Sequence, residues 1–141
     1  MKPVLTKSFN DASWKNRQWG VEHLPIIESE SMEMHLKKVL PNSCGTPHIH
    51  HYETLYYVIK GEIISISGEN LENISVQKAG SFVWVPQGTL HTVLNIQNSE
   101  AISVVTHNRK NITDECTIFN NLEPNALAIF NKLKNTINIP S

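Results

Sequence analysis

The chain places three of its seven histidines within four positions, at His48, His50 and His51 of "PHIHHYETLYYVIKGE". Side chains on a strand alternate between faces, so His48 and His50 point one way and His51 the other. Two imidazoles on one face are a ready pair of donors for a divalent ion, but two rarely suffice. The best third donor is His91, which follows the turn-like "VPQGTLH" on a separate strand and shares a face with Val93 and Asn95. Taken alone, neither half is decisive. H-x-H in a strand is as often a pair of surface histidines, and a single histidine after a turn is more often no ligand at all.

The elements that must position these residues are mostly strands. Strand signals dominate from Ser31 to Phe119. In "MEMHLKKVL", Met32, Met34 and Leu36 alternate with Glu33, His35 and Lys37, the period of an extended chain. "TLYYVIKGEIISIS" is β-branched and aromatic and bends at Lys60-Gly61. Phe82 and Trp84 alternate with Val83 and Val85, so one of these sets is core. Short strands at regular spacing, with Gly and Pro between them, predict an all-β sandwich or small antiparallel barrel. The tail differs: Ala126, Ile129, Phe130 and Leu133 follow helical spacing, with Pro124 near the start and Asn121 as a candidate cap. The expected layout is a single domain, 1–141: an N-terminal extension over 1–30, a barrel core over 31–119, and a helix over 121–136 that covers a barrel end or a subunit contact.

With these elements in place, the sequence resembles the cupin superfamily, whose two motifs are written G-x5-H-x-H-x3,4-E-x6-G and G-x5-P-x-G-x2-H-x3-N. Gly80, Pro86, Gly88, His91 and Asn95 complete the second in "GSFVWVPQGTLHTVLN". Pro86 and Gly88 build a tight turn, Pro fixing φ and Gly accepting positive φ, and Asn95 is placed to hydrogen-bond within the wall. In the first motif His48, His50 and Gly61 match, and Asn42 stands where the family has Gly. Asn is the non-glycine residue most tolerant of left-handed backbone. The eleven positions from His50 to Gly61 leave no insertion, so the family's metal-binding Glu falls on Thr54, while Glu53 precedes it. By alternation Thr54 faces inward with His50, and Glu53 reaches the ion only if a β-bulge re-aims it.

The resemblance implies a jelly-roll barrel, a double-stranded β-helix, holding a divalent ion on His48, His50 and His91, with Glu53 or Thr54 at the fourth position. Fe(II) is favoured, with Mn, Ni, Co or Zn as alternatives. Three neutral imidazoles leave the ion its full +2 charge and open positions, which suits an anionic or chelating organic substrate. The implied activity is that of a metal-dependent enzyme, an oxygenase ahead of a decarboxylase or isomerase. The alternatives are a non-catalytic ligand-binding or sensing cupin, and a carbohydrate isomerase or epimerase. Tyr52 and Tyr56 share the inward face and are candidates for an acid or a substrate hydrogen bond, although most such tyrosines fill space. His23, His35 and His107 have no partner in sequence and are expected at the surface.

Composition narrows the partners. The 141 residues suit one core, and a formal charge of −1 gives no electrostatic grip on nucleic acid or anionic membrane. The basic pairs Lys37-Lys38 and Arg109-Lys110 read as solvated surface. No run approaches a membrane span and no signal-peptide core is visible, so the expected compartment is the cytoplasm. Cys44 and Cys116 read as free thiols. Trp14 and Trp19 in a short N-terminal stretch call for an apolar surface to cover, and a homodimer is the expectation.

Overall fold

The computed structural model describes residues 1–11, 13–16, 20–108 and 116–137. Its strands are β1 (Lys15–Asn16), β2 (Val21–Glu28), β3 (Glu33–Val39), β4 (Ser43–Cys44), β5 (His48–His50), β6 (Thr54–Lys60), β7 (Glu62–Ser67), β8 (Asn73–Lys78), β9 (Phe82–Val85), β10 (Leu90–Asn95), β11 (Ala101–His107) and β12 (Cys116–Ile118), followed by the helix α1 (Glu123–Ile137). One sheet runs β1-β2-β3-β11-β6-β9 and the other β12-β5-β10-β7-β8, with β4 also paired to β10. Every pairing is antiparallel. This is the jelly roll that the sequence predicts. Among the described residues no helix is long and apolar enough to cross a membrane.

The register of β3, β11 and β6 grades the interior from polar to apolar. Glu33, His107 and Thr54 lie side by side, then His35, Val105 and Tyr56, then Lys37, Ser103 and Val58, and finally Val39 beside Ala101. The last levels join Ile63 in an apolar plug. The first levels line a cavity. So β3 turns Glu33, His35 and Lys37 inward and leaves Met34, with Met32 just ahead of the strand, exposed, the reverse of the usual amphipathic rule.

The helix packs on a face and not on an end. Ala126 and Phe130 lie on Ile64, Ile66 and Leu94, the outward side chains of β7 and β10. The sheet begins ahead of Ser31, because β2 pairs along β3 from Val21↔Val39 to Glu28↔Glu33. Trp14 stacks under the Lys38 ammonium, 4.1 Å from the ring centroid. Trp19 and the pair Arg109-Lys110 lie outside the described residues. On β9 the inward set is Val83 and Val85, while Phe82 and Trp84 are 85% and 61% exposed.

Two motif positions show their backbone reason. Asn42 adopts φ 52°, the left-handed region its place in the first motif calls for. Gly61 has φ 79°, and an added Cβ would lie 2.7 Å from the Glu100 carbonyl oxygen and 2.8 Å from Ala101 Cα. Strain and collision with backbone therefore act together. Gly61→Ala should cost about 2 kcal/mol or more of stability, read from the urea midpoint; an unchanged midpoint would refute the argument.

Candidate metal centre

Alternation along β5 and registry with β10 bring the three motif histidines together. His91 is the direct cross-strand partner of His48, and His50 sits one pleat along on the same face. Their ring centroids are separated by 4.6 Å (His48–His91), 4.8 Å (His48–His50) and 4.9 Å (His50–His91). One donor atom from each lies within 4.8 Å of the other two. His48 Nδ1 donates to the Thr46 carbonyl at 2.8 Å and His91 Nδ1 to the Thr89 carbonyl at 2.9 Å. A carbonyl only accepts, so each Nδ1 carries the proton and the lone pair sits on Nε2, the arrangement a metal ligand requires. His50 Nδ1 is buried without a hydrogen-bond partner among the described residues.

The rings are held neutral. Desolvation lowers the pKa of His48, lowers that of His50 to about 2 and lowers that of His91 to about 3, and repulsion from neighbouring histidines adds to it at His50 and His91. A neutral imidazole is the ligating form, so no proton has to be expelled before an ion binds near neutral pH. The donor set, its tautomers and its convergence fit a divalent ion.

Thr54 faces inward and is buried, and its Oγ1 is hydrogen-bonded to His107 Nδ1 at 2.8 Å. Glu53 is exposed and accepts a 2.6 Å hydrogen bond from Trp84 Nε1 on the outer face. No bulge brings the Glu53 carboxylate in. His51 is likewise outside, with Nε2 2.8 Å from Thr117 Oγ1. Thr54→Glu should therefore add an inward carboxylate, and with it slow the loss of bound metal to a chelator by at least about tenfold. Unchanged retention would place residue 54 out of reach of the ion.

Tyr52 is buried as a ring: it stacks on His50 at 4.8 Å and meets His107 edge-on at 4.6 Å. The Tyr56 hydroxyl donates to Gln77 Oε1 and lies 3.2 Å from Ser65 Oγ. Burial pushes its pKa up to about 12. Tied into the wall and hard to ionise, Tyr56 is not placed to act as an acid. Asn95, fully buried, donates to the carbonyls of Val39 and Ser99 and accepts from the Gln97 amide. It knits β10 to β3 as the second motif leads one to expect.

Four residues expected at the surface line the cavity instead: His23, His35, His107 and Lys37. His35 and His107 are buried, with rings stacked at 5.0 Å, and His23 is tilted against His35 at 4.7 Å. Glu33 joins them, its Oε1 3.9 Å from His35 Nδ1 and 4.0 Å from His107 Nε2. Glu33, His35 and His107 thus form a second group whose donor atoms lie within 4.8 Å of one another. The alternation of "MEMHLKKVL" placed Glu33, His35 and Lys37 on one face. What was missing was that this face turns inward. The cavity measures about 530 Å³, within the range of small-molecule sites.

Several solved structures share this architecture. The polyketide cyclase RemF from Streptomyces resistomycificus is similar over 92% of this chain and 93% of its own, at TM-score 0.71 and 17% identity. TT1209 from Thermus thermophilus is 27% identical over 74% of this chain and 97% of its own, at TM-score 0.58. Fe(II) HppE is similar over 74% of this chain and 60% of its own, at TM-score 0.63 and 13% identity. No curated protein sequence matches the chain. The cupin family model matches residues 5–136, nearly the whole length and both histidine motifs with it, and the chain belongs to the cupin family.

Proposed function

We propose that the protein is a metal-dependent enzyme acting on a small anionic or chelating organic molecule, with oxygenation favoured over decarboxylation or isomerisation. The convergence of His48, His50 and His91, two of them with Nδ1 pinned to backbone carbonyls, carries this reading. Bound there, a divalent ion supplies Lewis acidity and, as Fe(II), access to dioxygen chemistry. With Glu53 turned outward the three imidazoles contribute no negative charge, which favours an anionic substrate and leaves room for two further ligands. Tyr52 stacks on His50 and fixes the plane of its ring, and Val85, Val93 and Val105 add an apolar part to the cavity wall. The similarity to Fe(II) HppE supports iron.

A second reading, non-redox Lewis-acid catalysis on an enolisable substrate, is favoured by the similarity to a polyketide cyclase over 92% of the chain. The epimerase alternative would have to take its acid from Tyr52, because Tyr56 is held in the wall. A second copy of the chain would find an apolar surface on the outer face of the first sheet, at Leu55, Tyr57, Phe82 and Trp84.

The test is anaerobic loading with Fe(II), followed by oxygen uptake across catechols, 2-oxo acids, enediols and thiols. Uptake with one class, lost in His50→Ala, supports the oxygenase. Turnover that persists under argon with Zn(II) moves the assignment to Lewis-acid chemistry. A wild-type protein that retains no divalent ion after loading would leave the ligand-binding module.

A further inference from the structure

Lys37 reaches the cavity from β3, on the level next to the Val39–Ala101 pair of the apolar plug. Its Nζ lies 4.3 Å from the Tyr56 ring centroid, over the face of the ring. Among the described residues no carboxylate lies within 4.0 Å of it, whereas Lys38, one residue on and facing outward, reaches both Glu22 and Glu100. Its cross-strand neighbours are His23 and Ser103, and Ser103 buries a hydroxyl with no hydrogen-bond partner among the described residues. An ammonium drawn out of water without a counter-charge is costly, and buried charges are as a rule paired. An anion entering the cavity would supply the counter-charge that the described residues do not.

We infer that Lys37 is a substrate anchor, and that the substrate carries a chelating head for the three-histidine centre and a separate carboxylate tail for the Lys37 ammonium. This rests on the metal reading above and deepens it. A carboxylate suits the site better than a phosphate: one point charge beside one hydroxyl matches a monoanion. The two anchors stand on different sheets, β3 in the first and β5 with β10 in the second. A molecule gripping both spans the cavity.

Zinc-loaded protein provides a redox-silent test by calorimetry. The probes are 2-oxobutyrate, 2-oxoglutarate and 2-oxoadipate, which share a head and differ in the tail. At least one of the two tailed acids should bind tenfold or more tighter than 2-oxobutyrate. Lys37→Met should erase that preference while leaving 2-oxobutyrate binding and the thermal midpoint undiminished. Equal affinities in the wild type, or a preference that survives Lys37→Met, would overturn the inference. Bromide soaked into crystals separates the two readings, because it needs no metal. Anomalous density at Lys37 Nζ in the wild type, absent from Lys37→Met, upholds the anchor even if no 2-oxo acid binds and the metal reading falls. No density there removes the anchor and leaves the triad untouched.

Discussion

His91→Ala should release the bound ion while leaving the barrel folded. The substitution removes one of three donors and reduces the centre to the His48–His50 pair on a single strand. Affinity should fall on the order of a thousandfold, since a lost direct ligand costs more than the 10–100-fold typical of an outer-shell partner. Chelator competition and elemental analysis of the purified protein measure it. The fold should survive because His91 faces the cavity and donates only to the nearby Thr89 carbonyl. Its strand is held on both sides, by β5 and by β7. His51→Ala is the control: it removes an adjacent histidine on the outer face, and metal content should not change. Equal retention in wild type and His91→Ala would mean that the ion, if any, sits elsewhere.

Lys37→Met should make the protein more stable at neutral pH. Desolvation lowers the pKa of Lys37 from 10.5 to about 8. The full shift is worth roughly 3 kcal/mol; with the ammonium partly reached by cavity water, about 1–2 kcal/mol is the expected gain. The sign follows from linkage. Between pH 8 and 10.5 the unfolded chain holds a proton that the folded chain has released, so wild-type stability rises with pH through that window. The advantage of Lys37→Met is therefore full below about pH 8 and shrinks towards nothing by pH 10.5. Urea denaturation of both proteins at about pH 7, 9 and 10.5 measures it. A variant less stable than wild type at neutral pH would show that Lys37 holds the fold together, leaving no cost to be offset by a ligand.

Fixed spacing made the barrel and the triad legible. The second motif specifies five residues at set offsets, and each meets a local demand that any cupin wall makes: a turn at Pro86–Gly88, an inward ring at His91, a buried knot at Asn95. Alternation pointed Thr54 inward and left Glu53 to a bulge, and the choice between them is decided by the Glu53 carboxylate lying outside on Trp84. The rest of the cavity was hidden for one reason. His35, Lys37 and His107 lie on strands without a motif, and their burial follows from a register between β3, β11 and β6 that links positions far apart in the chain. The rule that apolar faces turn inward misleads there: a strand that lines a wet cavity can put its charges inside and its methionines out. The helix was readable from its period, but the face it covers depends on where Ile64, Ile66 and Leu94 point, which again is a matter of pairing.

The three-histidine centre stands on the second sheet and the Lys37 ammonium on the first, so the two anchors sit on different walls of the cavity. A guest fastened at both ends acts as a rivet between the leaves of the sandwich. Release then requires both anchors to let go, so a guest held at both ends should leave more slowly than one held at either alone.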